Sequence, residues 1–519
     1  MSQKLFRTLA SFALITTLGC EDDDRVAEAR YTARALEDGL LFTPADGEAE
    51  HHALLLDVSG ADPKTTQLAL PGGAVTTFAR PSKNGQVVVL TSGLEAVRSG
   101  KDKRAAVPSS VLIYGKAGEV ARRTLQGRYQ NLSLSPDGRY GIAFGSQAGL
   151  SVDNSAEVID FDSEAAPTFV DLSLDARAPS RFVFSPVGSF THRVAVAPQP
   201  NALQVIDLDA PGKGPISITL TVSSALTPEQ IVFAGDRMFV RSASSEQIVI
   251  LQAIEVPRGD HSWQPAPQQQ FASGIVQDIA VTGVGAAQRL LALTSALEVF
   301  DPAIGPTARI EGVSGFNRIL QFTGRSPIDA NRTSRAMLYA TQPRSSSQVG
   351  FVDLGDETAW TTRNIELVEL GDAIQSLTPL LERNVAVTRH TSERAGVIDL
   401  EARTVRRLVL NEYAGTLLVD EDGPAEPQLW ALGTSGELGR VNLASFARIE
   451  LPFSLGSTFP FETASELLLV PSATRRRLAV LQPADTGRVT FVDADAPSSE
   501  AAADSALEVL GIYLPELLD

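Results

Sequence analysis

A short apolar phrase ending in aspartate recurs along the whole chain, and it constrains the fold more than any other feature. It reads Val158-Ile159-Asp160-Phe161, Val205-Ile206-Asp207-Leu208, Val299-Phe300-Asp301, Phe351-Val352-Asp353-Leu354, Val397-Ile398-Asp399-Leu400 and Phe491-Val492-Asp493. Looser copies stand at Leu55-Leu56-Asp57-Val58 and Arg440-Val441-Asn442-Leu443, and degenerate ones around Ile113-Tyr114 and Ile250-Leu251-Gln252. The positions equivalent to Asp are 43 to 57 residues apart, the period of a repeat architecture whose units bury their faces only against neighbours. A repeat array can therefore use all 519 residues without dividing into conventional domains.

The best-formed unit runs from Asn131 to Leu172. Leu132-Ser133-Leu134 alternates apolar and polar residues, Ser135-Pro136-Asp137-Gly138-Arg139 is a turn, and Gly141-Ile142-Ala143-Phe144 is a core run. Glu157 to Phe161 and Thr168 to Leu172 complete four strands. The turn has a mechanism, because proline presets φ while Asp and Gly tolerate the reversal. Related turns at Pro81-Ser82-Lys83-Asn84-Gly85, Ser185-Pro186-Val187-Gly188 and Ala234-Gly235-Asp236-Arg237 precede equivalent core runs, so the recurring phrase is the third strand and its Asp begins the turn into the fourth.

Four short antiparallel strands every 40 to 50 residues predict an all-β fold, a β-propeller with one ring of about 8 to 10 blades. First strands are expected near residues 76, 131, 181, 230, 278, 318, 374, 415 and 466, and the residues before Ala74 read as an incomplete unit. On Leu134-Ser135-Pro136-Asp137-Gly138-Arg139 and the Val-Ile-Asp-Leu strands, the chain resembles bacterial YVTN-type propeller repeats, relatives of WD40 blades. The tetrapeptide that names the former and the Gly-His and Trp-Asp pairs of the latter are absent.

The first twenty residues read as an export leader. Lys4 and Arg7 give a positive start, and the apolar core Leu9 to Ile15 is too short to span a membrane. Thr17-Leu18-Gly19-Cys20 resembles a bacterial lipobox, matching at Gly19 and Cys20 and departing at Thr17 and Leu18. The resemblance implies a lipidated Cys20 that anchors the protein to the membrane at the bacterial cell envelope, facing the periplasm or the cell surface. Cys20 is the one cysteine of the sequence, so no internal disulfide forms and no thiol nucleophile is expected in the folded part. The boundaries read from these features are a signal peptide at 1–19, an acidic tether at 20–29, propeller repeats at 30–496 and a C-terminal tail at 497–519, which supplies either a closing strand or a docked helix.

A net charge of −18 excludes nonspecific nucleic-acid binding, which requires a basic footprint. Five histidines without converging spacing and no His-Glu-x-x-His, Gly-x-Ser-x-Gly or phosphate-loop pattern give no metal or cofactor and no catalytic residue. Asp420-Glu421-Asp422-Gly423 and Arg475-Arg476-Arg477 read as turns, and Trp263 and Trp430 as blade packing. Recurrence argues against chemistry at the aspartates, since catalysis needs one or two residues unlike the rest. The candidate binding residues are Arg98, Lys101, Lys103 and Arg104, a basic loop in an acidic chain. These readings predict a non-enzymatic binding or scaffold protein with a protein or glycan partner. The alternative is a propeller enzyme of lactonase, lyase or hydrolase type, with an acidic and possibly calcium-containing channel.

Overall fold

The computed structural model describes residues 31–509 apart from 45–51, 61, 71, 81–84, 94–105, 146–153, 173–178, 189–192, 221–226, 244, 257–259, 266–268, 284–287, 326–331, 355–364, 391–393, 409–413, 422–425, 434–436, 445–447, 455–465, 483–487, 497–500 and 502–504. Among these residues, ten antiparallel four-stranded sheets follow one another, each a meander of consecutive strands, the fifth with one additional strand. This is the blade topology of a β-propeller, at a count above the usual four to eight. The blades span 31–69, 74–124, 131–171, 183–219, 228–271, 278–310, 318–369, 374–408, 414–454 and 466–509, numbered here 1 to 10. The chain divides into two compact units, one of residues 1–122 and 451–519, the other of 123–450.

Burial follows strand position within the blade. Second strands such as Val87–Thr91 and Tyr140–Phe144 are buried along their whole length. Third strands are buried up to the closing polar residue, as in Ala395–Asp399 and Ser155–Asp160. Such strands are covered on both faces, so they read as continuous apolar runs rather than alternating ones. Fourth strands face solvent: Lys64–Ala69, Glu366–Glu369 and Thr404–Leu408 are mostly exposed, and their charges blunt an otherwise sticky sheet edge.

Neighbouring blades share apolar cores. In the second unit one cluster joins Ile142, Val158 and Val170 of blade 3 to Ala195 and Ile206 of blade 4, and another joins Leu291 and Val299 of blade 6 to Ala336 and Val352 of blade 7. In the first unit Leu40, Phe42 and Leu56 of blade 1 pack with Ala479, Leu481 and Phe491 of blade 10. The two ends of the chain thus meet by face packing, and the first and last blades are each built from their own consecutive strands.

The segment before Ala74 is a complete blade, which corrects the expectation of an incomplete unit. Its first strand, Tyr31–Leu36, alternates too weakly to stand out, with two alanines and one arginine in Tyr-Thr-Ala-Arg-Ala-Leu. All nine expected first strands are present within a few residues of their anticipated positions. In the tail, Leu507–Val509 pairs with Arg488–Asp493 as the fourth strand of blade 10.

The closing aspartates make Asx turns. Oδ1 of Asp57, Asp160, Asp207, Asp399 and Asp493 accepts the backbone N–H two residues on, at 2.8 to 3.0 Å, and Asn442 does the same at 2.9 Å. The other carboxylate oxygen is often held by an arginine entering the second strand: Arg139 on Asp160 at 3.0 Å, Arg289 on Asp301 at 3.2 Å and Arg475 on Asp493 at 2.8 Å. The recurrence is therefore structural, because these copies spend their carboxylates on their own turns.

A second recurring device lies three residues before the closing aspartate. Glu157 in blade 3 is fully buried, and its Oε1 accepts the N–H groups of Gln126 and Gly127, at 2.6 and 2.8 Å, in the linker that feeds that blade. Glu298 holds the equivalent place in blade 6 and accepts the Ser273 N–H of the corresponding linker at 3.0 Å. In blade 8 the position is Gly396, and the space is filled by His390, whose Nδ1 lies 3.3 Å from the linker carbonyl of Asp372. Different residues thus perform one task, tying the incoming chain to its blade.

Candidate functional site

The second unit holds a cleft of about 780 Å³, built where first strands begin and second strands end in blades 4 to 7. Meander topology places these boundaries on one side of successive blades. Arg181 precedes the first strand of blade 4, and Pro198, Gln199 and Pro200 form the end of its second strand and the following turn. Pro228, Glu229 and Gln230 open blade 5, Asp278 opens blade 6 and Arg318 opens blade 7.

A β-bulge at Glu229 shapes the floor. The register steps from Pro228↔Ser242 to Gln230↔Arg241, leaving Glu229 as the extra residue. Bulges fall at the same place in the first strands of blades 2, 8 and 9, so the backbone feature is general and the side chains displayed on it are particular. Here the bulge residue meets Arg241, whose side chain is 9% exposed. Arg241 donates to Glu229 Oε2 at 3.1 Å, to Gln230 Oε1 at 3.1 Å and to the Val276 carbonyl at 2.9 Å. A guanidinium with its charge paired and its donors placed is a fixed element rather than a grasping one.

Side chains of the first strands of blades 5 and 6 also reach the backbone of the next first strand. Gln230 pairs with Ile279 through both amide atoms, accepting its N–H at 3.1 Å and donating to its carbonyl at 3.0 Å. Asp278 Oδ2 accepts the Ile319 N–H at 2.7 Å. Burial pushes the Asp278 carboxyl above the usual range, despite that bond, the Gln230 amide, and Arg318 and Arg241 nearby. The floor is consequently a set of satisfied groups: Glu229 serves Arg241, and Asp278 serves the neighbouring strand.

At the mouth the situation differs. Arg181 and Arg318 are exposed. Arg181 donates one bond, to the Glu229 carbonyl, and among the described residues Arg318 has no hydrogen-bond or ion-pair partner. The cleft thus offers unspent cationic donors above a rigid floor, with three prolines as an apolar wall that carries no competing N–H.

A smaller cleft of about 300 Å³ in the first unit is lined by Asp38, Ser59, Ser472, Arg475 and Arg477. Asp38 has φ 56°, accepts the Val58 N–H through its carbonyl at 2.9 Å, donates to the Pro471 carbonyl at 2.8 Å, and pairs with Lys116. Burial raises its pKa, but the bonds from Lys116 and Ser472 outweigh it and hold the carboxyl below the ordinary value. The three consecutive arginines are spent within the structure: Arg475 on Asp493, Arg476 on Asp495 at 2.7 Å, and Arg477 on the Val58 carbonyl at 2.5 Å. This cleft is a joint between blades 1 and 10 rather than a set of free groups.

The sequence candidates fare unevenly. Cys20 and the basic loop Arg98, Lys101, Lys103 and Arg104 lie outside the described residues. Trp263 and Trp430 are 3% and 0% exposed and belong to blade packing. Among the described residues, no three His, Cys, Asp or Glu side chains converge to hold a metal. The cleft residues were not among the candidates, since each lies in its own repeat as an ordinary strand-boundary residue. Their one local signal is a charged residue where each first strand opens: Arg181, Glu229, Asp278 and Arg318.

No protein-family model and no curated protein matches this sequence. Solved structures with a similar fold include dihydro-heme d1 dehydrogenase NirN in complex with DHE, at 14% identity and a TM-score of 0.41, covering 66% of this chain and 70% of that one. Sqt1 of Saccharomyces cerevisiae has 14% identity and a TM-score of 0.38, covering 66% and 90% of the two chains. Apo AztD from Citrobacter koseri has 12% identity and a TM-score of 0.36, covering 74% and 89%.

Proposed function

We propose that this β-propeller is a lipid-anchored, non-enzymatic binding protein of the bacterial cell envelope that receives a protein partner in the cleft of its second unit. The observation that carries the binding reading is the division of labour in the cleft. Its two carboxylates, Glu229 and Asp278, are engaged by Arg241 and by the Ile319 N–H, so neither stands ready as a general base, nucleophile or metal ligand. Unspent guanidinium donors remain on Arg181 and Arg318 at the rim. A protein partner is favoured over a glycan because, among the described residues, no aromatic ring, the usual platform for a sugar face, lines the cleft. Anchorage rests on the leader and on Cys20 in its lipobox-like context.

Two measurements test the reading. Replacing Cys20 with serine should release the protein from the membrane fraction and abolish labelling by a radioactive fatty acid; unchanged membrane association refutes the anchor. Thr227 is exposed and lines the cleft, so Thr227→Trp fills it without disturbing the core. Cross-linking in envelopes should lose its specific adduct in this variant, and an unchanged adduct refutes the site.

A further inference from the structure

We infer that the cleft of the second unit recognises an acidic peptide segment of its partner, one that presents two carboxylates to Arg181 and Arg318. The inference rests on the proposed binding site and adds the chemistry of what enters it.

Three observations lead there. Arg181 belongs to blade 4 and Arg318 to blade 7, with Gln230 of blade 5 and Asp278 of blade 6 between them. Both line one cleft, whose volume corresponds to a sphere roughly 11 Å across, within the range of small recognition pockets. Two acidic side chains of one short segment can give each of these guanidiniums, set on separate blades, a bidentate carboxylate of its own.

The second observation is that the third arginine, Arg241, is removed from competition by Glu229, Gln230 and the Val276 carbonyl. Nature of the residue alone does not make a binding group; unspent donors do. Bidentate guanidinium–carboxylate pairing is the strong form of such contacts, and it is available to Arg181 and Arg318 without breaking an internal ion pair.

The third is charge contrast. The chain carries a net charge of −18, so an anionic partner is repelled by the surface as a whole. That repulsion is screened beyond about 8 Å at physiological ionic strength, whereas direct pairing inside a cleft is screened much less. Direct pairing is thus available in the cleft, where Arg181 and Arg318 keep unspent donors, and the repulsive surface around it discriminates against acidic chains that do not reach it, a source of specificity.

The experiment uses the full chain and blocked peptides holding two glutamates separated by zero to four alanines, with single-glutamate and all-glutamine peptides as controls. Isothermal titration should show at least one two-glutamate peptide binding tenfold or more tightly than the single-glutamate peptide. Arg181→Gln and Arg318→Gln should each bring that peptide down to the single-glutamate level; both residues are exposed, and tryptophan fluorescence verifies that the fold is kept. The inference is overturned if one and two glutamates bind alike, if no peptide binds at 1 mM, if either variant leaves affinity unchanged, or if oligogalacturonate binds where the peptides do not. Should the peptides fail while Thr227→Trp still abolishes the cross-linked adduct, the ligand chemistry is wrong and the site stands. Should Thr227→Trp leave the adduct unchanged, the site itself is wrong.

Discussion

Replacing Glu157 with alanine is expected to destabilise the second unit by about 2 to 4 kcal/mol, and replacing it with glutamine by less than about 1 kcal/mol. Glu157 Oε1 accepts two linker N–H groups, at 2.6 and 2.8 Å, and its side chain is fully buried. Bonds to a charged acceptor are worth about 1.5 to 3 kcal/mol each, so removing both costs about 3 to 6 kcal/mol before compensation. Two terms reduce that figure: alanine no longer buries a carboxylate, which itself costs several kcal/mol, and water can reach the linker at exposed Gln126. Glutamine keeps an acceptor in place and removes the charge. Urea unfolding followed by tryptophan fluorescence suits the measurement, because Trp263 and Trp430 are buried in the second unit. With a slope of about 3 kcal/mol/M, a loss of about 3 kcal/mol moves the midpoint down by about 1 M. Glu298→Ala, at the equivalent place in blade 6, should behave alike. A glutamine variant as unstable as the alanine variant would refute the acceptor role.

Asp278 has a raised carboxyl pKa in the folded state, so its stabilising contribution is present below the unfolded value near 4 and is lost as pH rises through the folded value. Asp278→Asn should remove that part of the pH dependence in denaturation above about pH 4; an unchanged profile contradicts the assignment. A Cβ at Gly396 would sit 2.9 Å from both His390 Nε2 and Thr388 Oγ1, so Gly396→Ala should cost about 1 to 3 kcal/mol in a Thr388→Ala background, where the imidazole is the remaining close neighbour, and much less when His390→Ala is added. Equal costs in the two backgrounds would show that the imidazole does not occupy that space.

Legibility in the sequence tracked how local the cause is. The third strands and their closing aspartates were readable because an Asx turn needs only a side chain and an N–H two residues on, as at Asp399 and Glu401. The turn at Ser135 to Arg139 was readable likewise: Gly138 has φ 63°, and Asp137 accepts from Ser135 Oγ at 2.6 Å. Tyr31–Leu36 was missed because its membership in blade 1 depends on pairing with Gly39–Pro44, and its own alternation is weak. The Gln230–Ile279 and Asp278–Ile319 contacts span 49 and 41 residues of sequence, and no pattern within a single repeat announces them.

The sequence by itself determined the repeat, the four-stranded unit and the structural use of the recurring aspartates, because alternation, turn chemistry and period act over a few residues at a time. Only the tertiary structure decided which charged residues are spent and which are free. Arg241 and Arg318 are both arginines at strand boundaries, yet one is locked by three partners and the other projects into a cleft. That difference arises from which blade lies beside which, and so from long-range packing that no single repeat encodes.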